Sequence, residues 1–128
     1  MSRKRILFVD DEPSIRLTLP AILQENGFEV TTASSVSEAM SEISRSRFDA
    51  LLSDLNIGEN GDGFVVVSAM RRSQPECVTM ILTGYPGFET AVQGIRNQVD
   101  DYLTKPADID ALVNSLNQKL ALRNARPF

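Results

Sequence analysis

Short apolar runs and amphipathic stripes take turns along this chain, and that alternation constrains the fold more than any other feature. The purely apolar runs are brief, Ile6-Leu7-Phe8-Val9 being among the longest. That length suits a strand buried on both faces and falls far short of the ~20 residues of a membrane span. The pattern predicts strands over Arg5 to Asp10, Phe28 to Ala33, Asp49 to Ser53, Cys77 to Leu82 and Asp100 to Thr104. Between them run helical stripes. Pro13 suits a first helical position, Ile15, Leu19, Ile22 and Leu23 share one face, and Asn26-Gly27 stops that helix. Pro20 inside it should kink it or end its first half. Ser35-x-x-Glu38 has the form of a capping box and opens a helix to about Arg45, with Val36, Ala39, Met40 and Ile43 inward. Gly58-Glu59-Asn60-Gly61-Asp62-Gly63 reads as a loop, and Phe64 to Arg72 as the next helix. Phe88, Ala91, Val92 and Ile95 form a fourth stripe, read as core. Ile109, Leu112, Val113, Leu116 and Leu120 form the last, capped by Asp108. Five strands alternating with five helices imply an α/β fold, a doubly wound parallel sheet with right-handed crossovers and helices on both faces. A chain of 128 residues makes one such domain.

Composition removes several classes of function. The chain has no histidine and one cysteine, Cys77. A Ser-His-Asp arrangement, most zinc sites and any internal disulfide are therefore excluded, and Cys77 reads as a small buried apolar group. Seventeen acidic residues against 13 basic ones argue against direct nucleic-acid binding. The basic Arg3-Lys4-Arg5 precedes an apolar run too short for a signal peptide, so the expectation is a cytoplasmic protein that does not enter a membrane.

In a parallel α/β sheet, the site lies beyond the carboxyl ends of the strands. There strand one ends in Asp10-Asp11-Glu12, strand three in Asp54, strand four in Thr83, and strand five in Thr104-Lys105-Pro106. Carboxylates gathered from two strand ends repel one another unless a cation intervenes. Oxygen ligands with neither His nor thiolate suit Mg2+ or Mn2+. A lysine supplies a point charge and a threonine hydroxyl a hydrogen bond. Together these are the equipment for attack of a carboxylate on a phosphoryl group.

Asp10-Asp11, Asp54, Thr83 and Lys105-Pro106, in that order at those strand ends, resemble the receiver domain of bacterial two-component response regulators from about Lys4 to about Leu122. The resemblance implies a flavodoxin-like five-stranded sheet of order 2-1-3-4-5. It implies that Asp54 accepts a phosphoryl group, that Asp11, Asp54 and the backbone carbonyl of Asn56 bind Mg2+, and that Asp10 holds a metal-bound water. Thr83 and Lys105 would contact the phosphoryl oxygens, and Tyr102 would be the aromatic whose rotamer reports phosphorylation. The implied donor is a sensor histidine kinase or phosphotransfer protein, and the chain would be a signalling switch rather than an enzyme. Residues 1–122 would be the receiver and 123–128 a tail or the start of a linker to an output domain. A homodimer is compatible with this. The output face would combine the helix from about Phe88, strand five with Tyr102, and the last helix.

Four departures from the family pattern stand out. Ile57-Gly58 replaces a common Met-Pro pair, and Asp62-Gly63 comes one residue late, so the loop after Asp54 should be longer and more flexible. Tyr85 is bulky enough to gate the site, and Pro20 should distort a first helix whose face often meets partners. Plainer readings compete residue by residue. Asp10-Asp11-Glu12 also fits helix N-terminal charge. Asp54 and Asn56 also suit a turn, and Thr83 the end of a strand. Lys105 also fits a structural ion pair with Asp10 or Asp54, and Tyr102 a half-buried packing position. A receiver-like module that binds partners without phosphorylation remains an alternative. A flavin or nucleotide binder is another, although acidic residues after strand one would repel a phosphate. An aspartyl phosphatase would need a second acid two residues after Asp54, where Asn56 stands.

Overall fold

The computed structural model of the chain describes residues 3–59, 61–84, 99–105 and 108–125. Its strands are β1 (Arg5–Val9), β2 (Glu29–Ala33), β3 (Ala50–Asp54), β4 (Val78–Thr83) and β5 (Asp101–Thr104). All pair in parallel in the order β2-β1-β3-β4-β5. Among the described residues there are four helices, α1 (Pro13–Glu25), α2 (Val36–Arg45), α3 (Asp62–Ser73) and α4 (Ile109–Ala125). The predicted helix carrying Phe88, Ala91, Val92 and Ile95 lies outside the described residues, as do Asn60, Tyr85, Pro106 and residues 126–128. No described helix is long and apolar enough to cross a membrane.

The strands read as unbroken apolar runs because both faces of the sheet are covered. Leu7, Val9, Leu51 and Ile81 point into one core with Ala39, Ile43, Val66, Val67 and Met70 of α2 and α3. Ile6, Phe8, Leu52, Met80 and Leu82 point into the other, with Leu19 and Leu23 of α1 and Leu112, Leu116 and Leu120 of α4. Two-residue alternation within each strand thus feeds two separate cores.

Local signals explain most helix ends. Asn26 and Gly27 close α1, with Gly27 at φ +95°. Pro20 does not end α1: it sits buried inside a helix that continues to Glu25. Ser35 Oγ accepts the Glu38 amide at 3.1 Å as a capping box requires, but the Glu38 carboxylate reaches Ser34, accepting its amide and its hydroxyl at 2.6 Å each. Asp108 Oδ1 caps α4 through the amides of Asp110 and Ala111. That helix runs on to Ala125, past the boundary at residue 122. Arg123 Nη1 donates to the Asp49 carbonyl at 3.0 Å and Nη2 to Asp49 Oδ1 at 3.2 Å, fixing α4 to the start of β3. Cys77 is buried, and burial pushes its thiol up to about 12, so it behaves as an inert apolar group.

Gln74 is the polar anchor at the far end of the sheet. Its Oε1 accepts the Phe48 amide at 2.8 Å, and its Nε2 donates to the carbonyls of Ile43 at 3.1 Å and Ser46 at 2.7 Å. The end of α3 is thereby joined to the end of α2 and the approach to β3. Gln74→Leu would leave these backbone groups unpaired and should lower stability in urea unfolding by about 1–3 kcal/mol. An unchanged midpoint would show that water replaces the amide.

Candidate functional site

Asp10 follows β1 and is fully buried. A carboxylate out of water needs charge or donors around it, and both of its oxygens have them. Oδ1 accepts the Glu12 amide at 2.9 Å, and Oδ2 takes the Lys105 ammonium at 2.9 Å. Asp10 is fixed through its backbone as well: its amide donates to the Ala33 carbonyl at 3.1 Å, and its carbonyl accepts Arg16 Nη1 at 2.8 Å.

Lys105 also stands 3.4 Å from Asp54 Oδ2. It follows β5, which is separated from β3 by β4, so its side chain crosses the end of one strand to reach Asp54. A lysine stem is long enough for this. The Lys105 amide donates to the Thr83 carbonyl at 2.7 Å, which seats the residue against the end of β4. Burial disfavours the Lys105 ammonium, but the hydrogen bond and attraction of Asp10, helped by Asp54, outweigh it and raise its pKa above the ordinary lysine value. Burial also raises the pKa of Asp54; Lys105 opposes this and the charge of Asp10 adds to it, leaving the carboxyl above its usual value.

Asp11 is exposed, and its Oδ2 accepts the Gly58 amide at 3.0 Å. Asp10, Asp11 and Asp54 each offer a carboxylate oxygen, all within 4.8 Å of one another. One ammonium against three carboxylates leaves the cluster short of positive charge, and an oxygen-only set is what a hard divalent cation takes. The residues therefore fit Mg2+ or Mn2+. Asn56 lies two residues beyond Asp54 and is half-buried. Its side chain is spent on the loop, with Oδ1 accepting the Gly61 amide at 3.0 Å.

The loop after Asp54 is more tightly tied than its glycines suggest. Besides the Asn56 and Asp11 bonds, Asp62 Oδ2 accepts the Glu59 amide at 3.3 Å. Gly58 and Gly61 take left-handed φ values of +82° and +83°. Gly63 serves a different need, in the first turn of α3. A β-carbon there would run into the Asp54 carbonyl oxygen and stand 2.9 Å from Leu55 Cα, while the Gly63 amide donates to the Leu55 carbonyl at 2.8 Å. The helix thus presses directly on the backbone that carries Asp54. Sequence reading noted Asp62-Gly63 but not this close approach, and it missed Arg16 and the Gly58 amide.

Thr83 is buried at the end of β4, beside Lys105. Tyr102 pairs with Ile81 and packs against the core under α2 and α3. Its hydroxyl is buried and has no hydrogen-bond partner among the described residues. On the opposite face of the sheet, an apolar groove of about 380 Å³ opens between α1 and the start of α4, lined by Ile15, Leu19, Ile22, Leu82, Ile109 and Lys105.

Because Asp54 has a raised pKa, the native state binds its proton more tightly than the unfolded chain does. That contribution to stability is complete below the unfolded pKa and is lost as pH rises through the folded one. Asp54→Asn, neutral at every pH, should therefore raise the urea midpoint at about pH 7, with the gain shrinking toward about pH 4. A variant no more stable at neutral pH would show that the Lys105 ion pair outweighs burial.

Comparison with known proteins places this geometry. The family model described as "Response regulator receiver domain" matches residues 6–117. The response regulator protein PilR of Pseudomonas aeruginosa is 34% identical over 124 residues, which are 97% of this chain and 28% of that protein. The chain thus spans little more than a quarter of the length of that relative. The crystal structure of a CheY-like response regulator receiver domain protein from Methanospirillum hungatei superposes with a TM-score of 0.90 at 27% identity, covering 96% of this chain and 98% of the other. A response regulator protein from Burkholderia pseudomallei, solved with a phosphorylated aspartic acid, a calcium ion and citrate, matches with a TM-score of 0.83 at 28% identity over 95% of this chain and 71% of that one.

Proposed function

This chain belongs to the response regulator receiver family of two-component signalling, and from that membership we propose that Asp54 is its phosphoacceptor. The observation that carries the reading is the Lys105 ammonium placed between Asp10 and Asp54 at 2.9 and 3.4 Å. An Asp54 carboxylate oxygen attacks the phosphorus of the donor, and the bond from phosphorus to the donor breaks with its electron pair leaving on the donor atom. Burial of Asp54 makes its oxygen more basic, which favours attack. Lys105, held charged by its neighbours, exchanges its contact with Asp54 for one with a phosphoryl oxygen. Thr83, buried alongside, supplies a hydroxyl hydrogen bond to the same group.

Asp10, Asp11, Asp54 and the backbone carbonyl of Asn56 are the proposed holders of Mg2+ (or Mn2+), with Asp10 acting through a bound water. When bound, the ion neutralises charge on the phosphoryl oxygens. Tyr102 is the proposed reporter of phosphorylation. Its buried hydroxyl, without a hydrogen-bond partner among the described residues, makes its position sensitive to rearrangement at Thr83, two residues further along the neighbouring strand than its partner Ile81. The output face would then lie around β5 and α4.

The donor is proposed to be a cytoplasmic histidine kinase or a phosphotransfer protein, and the apolar groove beside Lys105 offers it a surface next to the acceptor. Residues 1–122 form the receiver in this reading, and 123–128 lead toward an output domain such as the rest of a PilR-length protein would hold. A second receiver copy is a further candidate partner.

Intact-protein mass spectrometry after incubation with acetyl phosphate should show one phosphoryl adduct on the wild type that requires Mg2+ and disappears in Asp54→Ala. A folded protein that binds Mg2+ and takes no adduct would instead be an interaction module that works without phosphorylation.

A further inference from the structure

Gly58 stands where receiver sequences commonly carry the proline of a Met-Pro pair, and the exchange places a hydrogen-bond donor beside a site carboxylate. The Gly58 amide donates to Asp11 Oδ2 at 3.0 Å, across 47 residues of sequence. Gly58 reaches this position with φ at +82°, a conformation glycine adopts freely. A proline has no N–H and is confined near φ −65°, so neither the bond nor the backbone path would survive the exchange. The bond has a purpose that the rest of the site makes visible. Asp10 is fixed by the Glu12 amide and Lys105, and Asp54 by Lys105. Asp11 is the exposed member of the cluster, and in the described residues its carboxylate is oriented by the Gly58 amide.

We propose that the Gly58 amide is a positioning group for Asp11, so that binding of a divalent cation and ordering of the backbone at Gly58 are coupled. This rests on the reading of Asp11 as a ligand of that ion. A carboxylate carries enough lone pairs for Oδ2 to accept an N–H while the group still offers an oxygen to an ion. Hydrogen bonds that orient metal ligands typically govern 10–100-fold in metal affinity. The coupling is reciprocal: whatever the amide adds to ion affinity, the ion returns as order at Gly58.

The test is Mg2+ titration by calorimetry of the wild type, Asp11→Ala, Gly58→Pro and Gly58→Asn, with amide hydrogen exchange at Gly58 in the metal-free protein. Asparagine keeps the N–H and tolerates left-handed φ, and among the described residues a β-carbon at this position meets only Asp62 Oδ2, at 4.0 Å. Gly58→Asn should therefore bind Mg2+ within about twofold of the wild type, whereas Gly58→Pro should bind about tenfold more weakly or worse. In metal-free Asp11→Ala the Gly58 amide should exchange about tenfold faster than in the wild type. A folded Gly58→Pro with wild-type affinity overturns the proposal, and so does an exchange rate indifferent to Asp11→Ala. If Gly58→Pro does not fold by circular dichroism, the exchange comparison decides alone. Absence of Mg2+ binding by the wild type, or full binding by Asp11→Ala, would instead sink the reading of the ion site, and this coupling with it.

Discussion

The Lys105 ammonium is the constraint on which the site depends. Asp10 is fully buried, and a buried carboxylate without a cation is costly enough to be unfolded or protonated away. One lysine, 2.9 Å from Asp10 and 3.4 Å from Asp54, makes both charges tolerable and binds the ends of β1, β3 and β5 together. The sheet order makes this reach possible. β1 lies beside β3, β4 separates β3 from β5, and the Lys105 amide is anchored on the Thr83 carbonyl of the intervening strand. In the proposed function, the same positive charge that stabilises the cluster would pass to a transferring phosphoryl group.

Around that centre, backbone groups do much of the positioning. The first turn of α3 approaches the Asp54 carbonyl so closely that only glycine fits at position 63. Asn56 and Asp62 tie the loop through Gly61 and Glu59, and the Gly58 amide reaches Asp11. Asp54 itself stands at the end of β3, where the strand gives way to this loop. These bonds and the close approach of Gly63 fix the backbone around it, as the proposed phosphoryl transfer would require.

The sheet was legible in the sequence because two-sided burial writes itself as short apolar runs, and the acidic strand ends were legible because parallel topology sends them to one edge. Helix ends were legible where residue type marks the cap, as with the Asn26 side chain, the left-handed Gly27 and the Asp108 carboxylate. Pro20 does not end the first helix, which takes it in its buried face and continues to Glu25. Ser35-x-x-Glu38 was read as a capping box, and Ser35 does cap the Glu38 amide, whereas the Glu38 carboxylate serves Ser34. The Gly58 amide and the crowding at Gly63 were illegible for a deeper reason: both are backbone relations, and glycine carries no side chain to announce them. Of the loop's three glycines, two permit left-handed turns and the third permits close packing.

The central claim is electrostatic: burial and Asp10 raise the proton affinity of Asp54, and Lys105 restrains it. Titration of the Asp54 side-chain carboxyl by carbon-13 NMR, in the wild type and in Lys105→Met, measures this directly. The expected result is a wild-type pKa above the ordinary aspartate value and a still higher one after loss of the ammonium. A wild-type pKa at or below the ordinary value, or one that falls or stays fixed in Lys105→Met, would contradict the account.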